Sequence, residues 1–125
     1  VAKRPAVRWL KAPDAHDFGA ALDYLSLIMP SQDAEKYAKL LEQSRHSLVT
    51  RKAKDILRAS GLPLLPKSNP HVAKDLARIT KGVKLSPVLL VRGNWNRPLT
   101  IADGYHRVIA CELWDENTPI ACVLI

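Results

Sequence analysis

Asp103, His106 and Arg107 stand close together in the stretch Ile101-Ala102-Asp103-Gly104-Tyr105-His106-Arg107. Their types suit phosphate chemistry. Arginine offers a planar fork of donors that matches a phosphate or a carboxylate. Histidine donates to phosphate or titrates near neutral pH. An aspartate can hold Mg2+, orient a hydroxyl or act as a general base. Gly104 allows a sharp turn and a close approach of a ligand to the backbone. A β-forming run gives way here to a helical pattern. The amides of Gly104, Tyr105, His106 and Arg107 therefore fall at a helix start, where N–H groups lack partners and the dipole favours anions. Each residue also has a simple structural role. Asp103 can be the helix N-cap, Gly104 can serve the turn alone, and Tyr105 can pack. His106 and Arg107 can lie on the surface or pair with an acid. Spacing alone leaves both readings open.

The elements that must position this stretch are legible in the pattern around it. PVLLVRG is a nearly continuous run of β-formers, and PLTIADG follows after the polar NWNR, so the two read as a hairpin. A helix follows from Gly104 through Trp114, with Val108, Ile109 and Leu113 on one face. IACVLI is apolar at nearly every position and reads as a strand buried on both faces. Upstream, Asn69-Pro70 is a helix start, with an N-cap followed by proline at the first helical position. Its helix buries Val72, Leu76 and Ile79 and ends at Gly82. LPLLPKSNP, rich in proline, is a loop or an extended crossing. KAKDILRAS is a short helix capped by Gly61, and HSLVT (His46–Thr50) a short strand.

Two helices precede these. One starts after Asp14, its N-cap, and runs to about Ile28, with Phe18, Leu22, Leu25 and Met29 at helical spacing and Ala21 and Ile28 widening the stripe. Pro30 stops it. Ser31 opens a second over about 32–44, burying Ala34, Tyr37, Ala38 and Leu41. Joined by Pro-Ser they form a hairpin whose stripe is core or a homodimer contact. Residues 1–13 read as an extended arm pinned by Trp9 and Leu10. The expected architecture is one α+β domain over 1–125, a small mixed sheet with packed helices. Residues 1–45 supply the arm and helical hairpin, and 46–125 the α+β core.

Composition sets the limits. At about 100–200 residues per domain, 125 residues allow a single domain. Apolar content of 47% with 25% charged residues excludes whole-chain disorder. No run approaches the ~20 apolar residues of a membrane span, and VAKRPAVRWLK has no apolar segment of a secretory signal. Cys111 and Cys122 form neither a disulfide framework nor a zinc site alone, so a reducing cytoplasm is expected. The charge of +7 comes from 19 basic and 12 acidic residues. It is spread, with 11 basic and 7 acidic in residues 1–60 and 8 and 5 in the remainder. That suits a mixed solvated surface or a diffuse attraction to nucleotides or nucleic acid. Arg45, Arg51, Lys52, Lys54 and Arg58 form the densest basic cluster, a solvated face or a seat for a phosphate backbone. Trp95, within Asn94-Trp95-Asn96-Arg97, is a lid over the site or a loop aromatic folded onto the sheet. No P-loop, GxGxxG, GxSxG, HExxH or CxxC is present.

The segment from Leu62 to Ile125, about half the chain, resembles the ParB/sulfiredoxin-like superfamily. The likeness is an ordered set: a Pro-flanked strand, a helix beginning NPHVAKDL, the LSPVLLVRG strand, the IADGYHR turn and a closing NTPIACVLI strand. The resemblance implies a turn that binds nucleotide phosphates, with ATP/ADP or CTP and Mg2+ as ligands and a bacterial setting. Sulfiredoxins carry a GCHR-type turn, whose histidine and arginine fall on His106 and Arg107. Their cysteine falls on Tyr105, so sulfinic acid reduction is not expected. ParB proteins carry a GxRR-type turn; its second arginine is missing here, and no helix-turn-helix follows. Free serine kinases of this fold carry a DGHxR-type turn, and Asp103-Gly104 with Arg107 comes nearest to it. A nucleotide-contacting lysine of sulfiredoxins falls on Val72, with Lys74 close by.

The expected function is therefore binding of a nucleotide or phosphorylated small molecule at the turn. Phosphoryl transfer or nucleotide hydrolysis is the reaction class, if there is one. Asp103 and His106 are the catalytic candidates, and Asp103 also the metal candidate. Gly104, Tyr105, His106, Arg107 and Lys74 are the phosphate-binding candidates. The alternative is a non-catalytic nucleic-acid-associated or protein-interaction module.

Overall fold

The computed structural model describes residues 4–125. Helical spacing of apolar residues produces α1 (Ala15–Ile28), and the Met29-Pro30 link reverses the chain into α2 (Ser31–Gln43). A short strand β1 (Val49–Lys52) runs directly into α3 (Ala53–Ser60), which Gly61 closes in the left-handed conformation at φ 68°. Asn69 caps α4 (Pro70–Thr80) by accepting from the amides of His71 and Val72 at 3.0 and 3.2 Å. The strands β2 (Val88–Val91) and β3 (Thr100–Asp103), the helix α5 (Tyr105–Trp114) and β4 (Pro119–Leu124) complete the order.

The four strands form one mixed sheet in the order β1-β4-β2-β3. β2 pairs antiparallel with β3 and parallel with β4, and β1 pairs antiparallel with β4. Alternation along the central strands sends side chains to opposite faces. Val88, Leu90, Ile120 and Cys122 join one core with α3, α4 and α5. Leu89, Val91 and Val123 join a second core with Phe18, Ala21, Leu25, Ala34 and Leu41 of the helical hairpin. The described residues are thus α+β, five helices around a four-stranded mixed sheet. Because β2 and β4 are covered on both faces, they read as continuous apolar runs rather than alternating ones.

Several expectations change. The strand anticipated at His46–Thr50 forms instead at Val49–Lys52, because pairing with β4 aligns Val49 with Cys122 and Lys52 with Pro119. This edge strand is exposed throughout and carries Arg51 and Lys52, charges that blunt a free edge. The Pro-flanked strand is not formed: residues 62–66 cross unpaired, and Pro63 and Pro66 have no N–H for a ladder. Ile28, placed on the buried stripe by periodicity, is 51% exposed. The hairpin stripe otherwise serves as core against the sheet.

The arm is pinned as its tryptophan suggested. Trp9 bridges Leu85 and donates its indole N–H to the Pro119 carbonyl at 3.1 Å. The first three residues of that predicted arm lie outside the described residues. Among the described residues, no helix is long and apolar enough to cross a membrane.

Candidate functional site

The end of β3 and the start of α5 meet at Gly104, whose φ of 107° lies in the left-handed region. A Cβ there would come 2.5 Å from Val88 Cγ1 and 2.8 Å from Arg107 Nη2. Only glycine fits both the conformation and the space. Asp103 does not cap α5: Gly104 holds the cap position, and no side chain bonds the first amides. The open amides of Tyr105, His106 and Arg107 are left at the helix start.

Asp103 is engaged elsewhere. Its Oδ2 accepts from Arg107 Nη2 at 2.7 Å, one helical turn on. Arg107 Nη1 also reaches Asp17 Oδ2 on α1 at 3.5 Å. Asp17 is 4% exposed and accepts from Ser86 Oγ at 2.5 Å, and Ser86 Oγ in turn accepts from the Asp14 amide at 3.0 Å. This network ties the hairpin, the segment before β2 and α5 to one guanidinium. Arg107 Nε is buried and has no partner among the described residues.

A polar cleft of about 260 Å³ opens over this network, lined in part by Asp17, Asp75, Arg78, Asp103, His106 and Arg107. On the other side of the turn lies a cavity of about 420 Å³ that adds Tyr24, Leu62 and Ile101 to the walls. Gly104, Tyr105 and His106 border both. The His106 ring lies 4.7 Å from that of His71, at the start of α4. Tyr105 donates its hydroxyl to the Pro63 carbonyl at 2.5 Å, so its side chain fastens the crossing to α5.

The charges are set by burial. Desolvation raises the Asp103 carboxyl above its ordinary range, and the Arg107 charge only partly offsets it. Asp75 is raised in the same way, against the opposing pull of Arg107 and Arg78. Desolvation, with a smaller contribution from His71, lowers His106 from its ordinary value and so favours the neutral ring, which can donate or accept a hydrogen bond. Three carboxylates (Asp17, Asp75, Asp103) face two guanidinium groups (Arg78, Arg107) across the cleft.

Asp103, Gly104, Tyr105, His106 and Arg107 are therefore brought together, as the sequence places them. Lys74 is exposed and does not line the cleft; Asp75 and Arg78 do. Trp95 is not a lid. It sits in the loop after β2, whereas Gly104 packs against the first residue of β2, so the two occupy opposite ends of the strands. The residues to which sequence reasoning assigns no role are Asp17, Asp75 and Ser86. A signal existed for both acids. Asp17 lies on the stripe of Ala21 and Leu25, and Asp75 on that of Val72 and Ile79. A charged residue on an apolar stripe must find a partner on burial.

Asp14, His16 and Asp17 place one ligand atom each within 4.8 Å of one another at the start of α1, beside the cleft. Asp103 is not part of that group. Cys111 and Cys122 are free and buried; burial pushes their thiols up to about 12 and about 11, so both are protonated and inert at neutral pH. No family model matches this chain, and no curated protein or solved structure matches it either.

Proposed function

We propose that the cleft at the start of α5 binds a phosphorylated small molecule, a nucleotide such as ATP, ADP or CTP, together with Mg2+. One observation carries this reading: the turn from Asp103 to His106 borders both a polar cleft and a less polar cavity. Open helix amides and Arg107 would meet the phosphates, and the cavity beside Tyr24 and Leu62 would take the organic part. A cation belongs to the reading because the carboxylates outnumber the guanidinium groups, and bare phosphate would be repelled. Carboxylate oxygens are the hard donors that Mg2+ prefers, and Mg2+ uses one or two of them beside substrate phosphates. Asp103 is the candidate that lies in the turn itself, since only its Oδ2 is taken by Arg107.

Kinship with the ParB/sulfiredoxin-like superfamily is part of the proposal. Its support is the order of the NPHVAKDL helix, the two strands, the turn and the closing strand. A cytoplasmic, bacterial setting goes with it. Phosphoryl transfer or nucleotide hydrolysis is the class of reaction such a site would serve. The raised proton affinity of Asp103 suits a general base, and neutral His106 a donor to a phosphate oxygen.

The test is a melting series with ATP, ADP, CTP and GTP, each with and without Mg2+. A ligand at tenfold over its Kd stabilises by about 1.4 kcal/mol, which for this size raises Tm by about 4–6 °C. The shift should need Mg2+ and should be lost in Arg107→Ala and weakened in Arg107→Lys, which keeps charge without the fork. No shift with any nucleotide at millimolar concentration would overturn the reading.

A further inference from the structure

Another cavity lies away from this site, at the end of the sheet where β2 leaves it. It holds about 470 Å³, and Ile56, Leu90 and Leu124 give it an apolar floor. Arg51, Arg92 and Arg97 stand around it, from β1 and from the loop between β2 and β3. None of the three has a carboxylate partner among the described residues; Arg51 Nη1 reaches only the Thr50 carbonyl at 2.9 Å. Asp55 also lines the cavity, but its carboxylate is held by Arg58 at 3.1 Å. Three exposed guanidinium groups without a carboxylate partner among the described residues thus surround an apolar floor.

A second feature sits on its rim. Asn94 and Arg97 pair across a tight turn, the Asn94 amide donating to the Arg97 carbonyl at 2.9 Å. Trp95, between them, is fully exposed. The turn is fixed by Gly93, where a Cβ would come 2.1 Å from the Arg97 carbonyl oxygen and 2.4 Å from that of Pro98. The tryptophan is thus presented outward, covering no core. The other two tryptophans are tied down: Trp9 donates to Pro119 and Trp114 to Pro5.

We propose that this face binds single-stranded nucleic acid. The phosphates would lie along Arg51, Arg92 and Arg97, one base would enter the apolar-floored groove, and a neighbouring base would stack on Trp95. Exposed aromatic faces interleaved with uncompensated arginines are what unpaired, flexible strands require. A free mononucleotide occupying the groove would leave Trp95 without a partner, whereas a strand crossing the rim uses both. Duplex bases are stacked and paired, so neither the groove nor Trp95 has a base face to receive. This assignment is independent of the nucleotide reading of the α5 turn, which lies at the other end of β2.

The experiment is fluorescence anisotropy with a labelled oligo(dT) strand and an oligo(rU) strand of equal length, with a mixed-sequence duplex as comparison. Both single strands should bind, the duplex at least tenfold more weakly. Trp95→Ala should weaken single-strand binding about tenfold or more, since stacking on an aromatic contributes that much per base. The logarithm of affinity should fall with that of salt at a slope of about −2 for three phosphate contacts, and Arg92→Ala or Arg97→Ala should make it shallower by about 0.7. All these side chains are exposed, so circular dichroism and Tm should stay unchanged in the variants. Equal binding of the duplex, a Trp95→Ala variant that binds like wild type, or no binding at 50 mM salt would each overturn the proposal.

Discussion

Arg107→Met tests whether one guanidinium holds the cleft together. Arg107 is 14% exposed at its side chain, Asp17 6% and Asp103 21%. Removing the cation leaves two largely desolvated carboxylates facing each other, with Asp75 nearby. Breaking a buried ion pair costs about 3–5 kcal/mol. The partial exposure of Asp103 and the surviving Ser86 bond to Asp17 reduce this to about 2–3 kcal/mol. At roughly 4 °C per kcal/mol for a chain of this length, Tm should fall by about 8–12 °C. Urea unfolding at pH 7 and pH 4 is the assay. The loss should shrink at the lower pH, where the raised Asp103 carboxyl takes up a proton and the repulsion eases. Adding Asp103→Asn to Arg107→Met should recover part of the loss for the same reason. A loss below about 0.5 kcal/mol at pH 7, or one independent of pH, would refute the view that Arg107 neutralises this cluster.

Gly104→Ala combines a non-glycine residue at positive φ with an overpacked contact on Val88. About 3 kcal/mol of destabilisation is expected in urea unfolding, and a cost under 1 kcal/mol would contradict the crowding described. His106 is held below its ordinary value of 6.5, so the native state binds fewer protons than the unfolded chain between the lowered value and 6.5. Its penalty therefore appears as pH falls through that window, and the stability of wild type relative to His106→Asn should rise from pH 5 to pH 7. A flat difference in Tm across that range would count against the assignment. Asn69→Ala removes the acceptor of two amides at the start of α4 and should cost about 1 kcal/mol by chemical denaturation, while Asn69→Ser should retain most of the stability.

Local chemistry made much of the fold legible. Asn69-Pro70 announces a helix because the cap and the fixed φ act within a few residues, and α4 begins there. The β2 and β4 runs are apolar at almost every position, and both strands are central. β1 lies off the expected position because an exposed edge strand has no buried face to write a pattern; its register comes from β4, about seventy residues later. Ile28 satisfied the helical period yet faces outward, since the sheet covers only part of the α1 surface.

The site divides along the same line. Asp103, Gly104, Tyr105, His106 and Arg107 are neighbours in the chain, so the sequence alone fixed their proximity and the turn they occupy. Whether Arg107 is free to meet an anion is decided by Asp17, ninety residues away and brought to it by the hairpin packing on the sheet. The neutrality of His106 depends on burial and on His71, both consequences of α4 packing against α5. The uncompensated arginines and outward Trp95 at the other end of β2 also emerge only when β1 and the β2–β3 loop meet. Short-range capping and turn chemistry is written residue by residue, but desolvation and charge pairing depend on segments distant in sequence, and the tertiary structure alone brings those together.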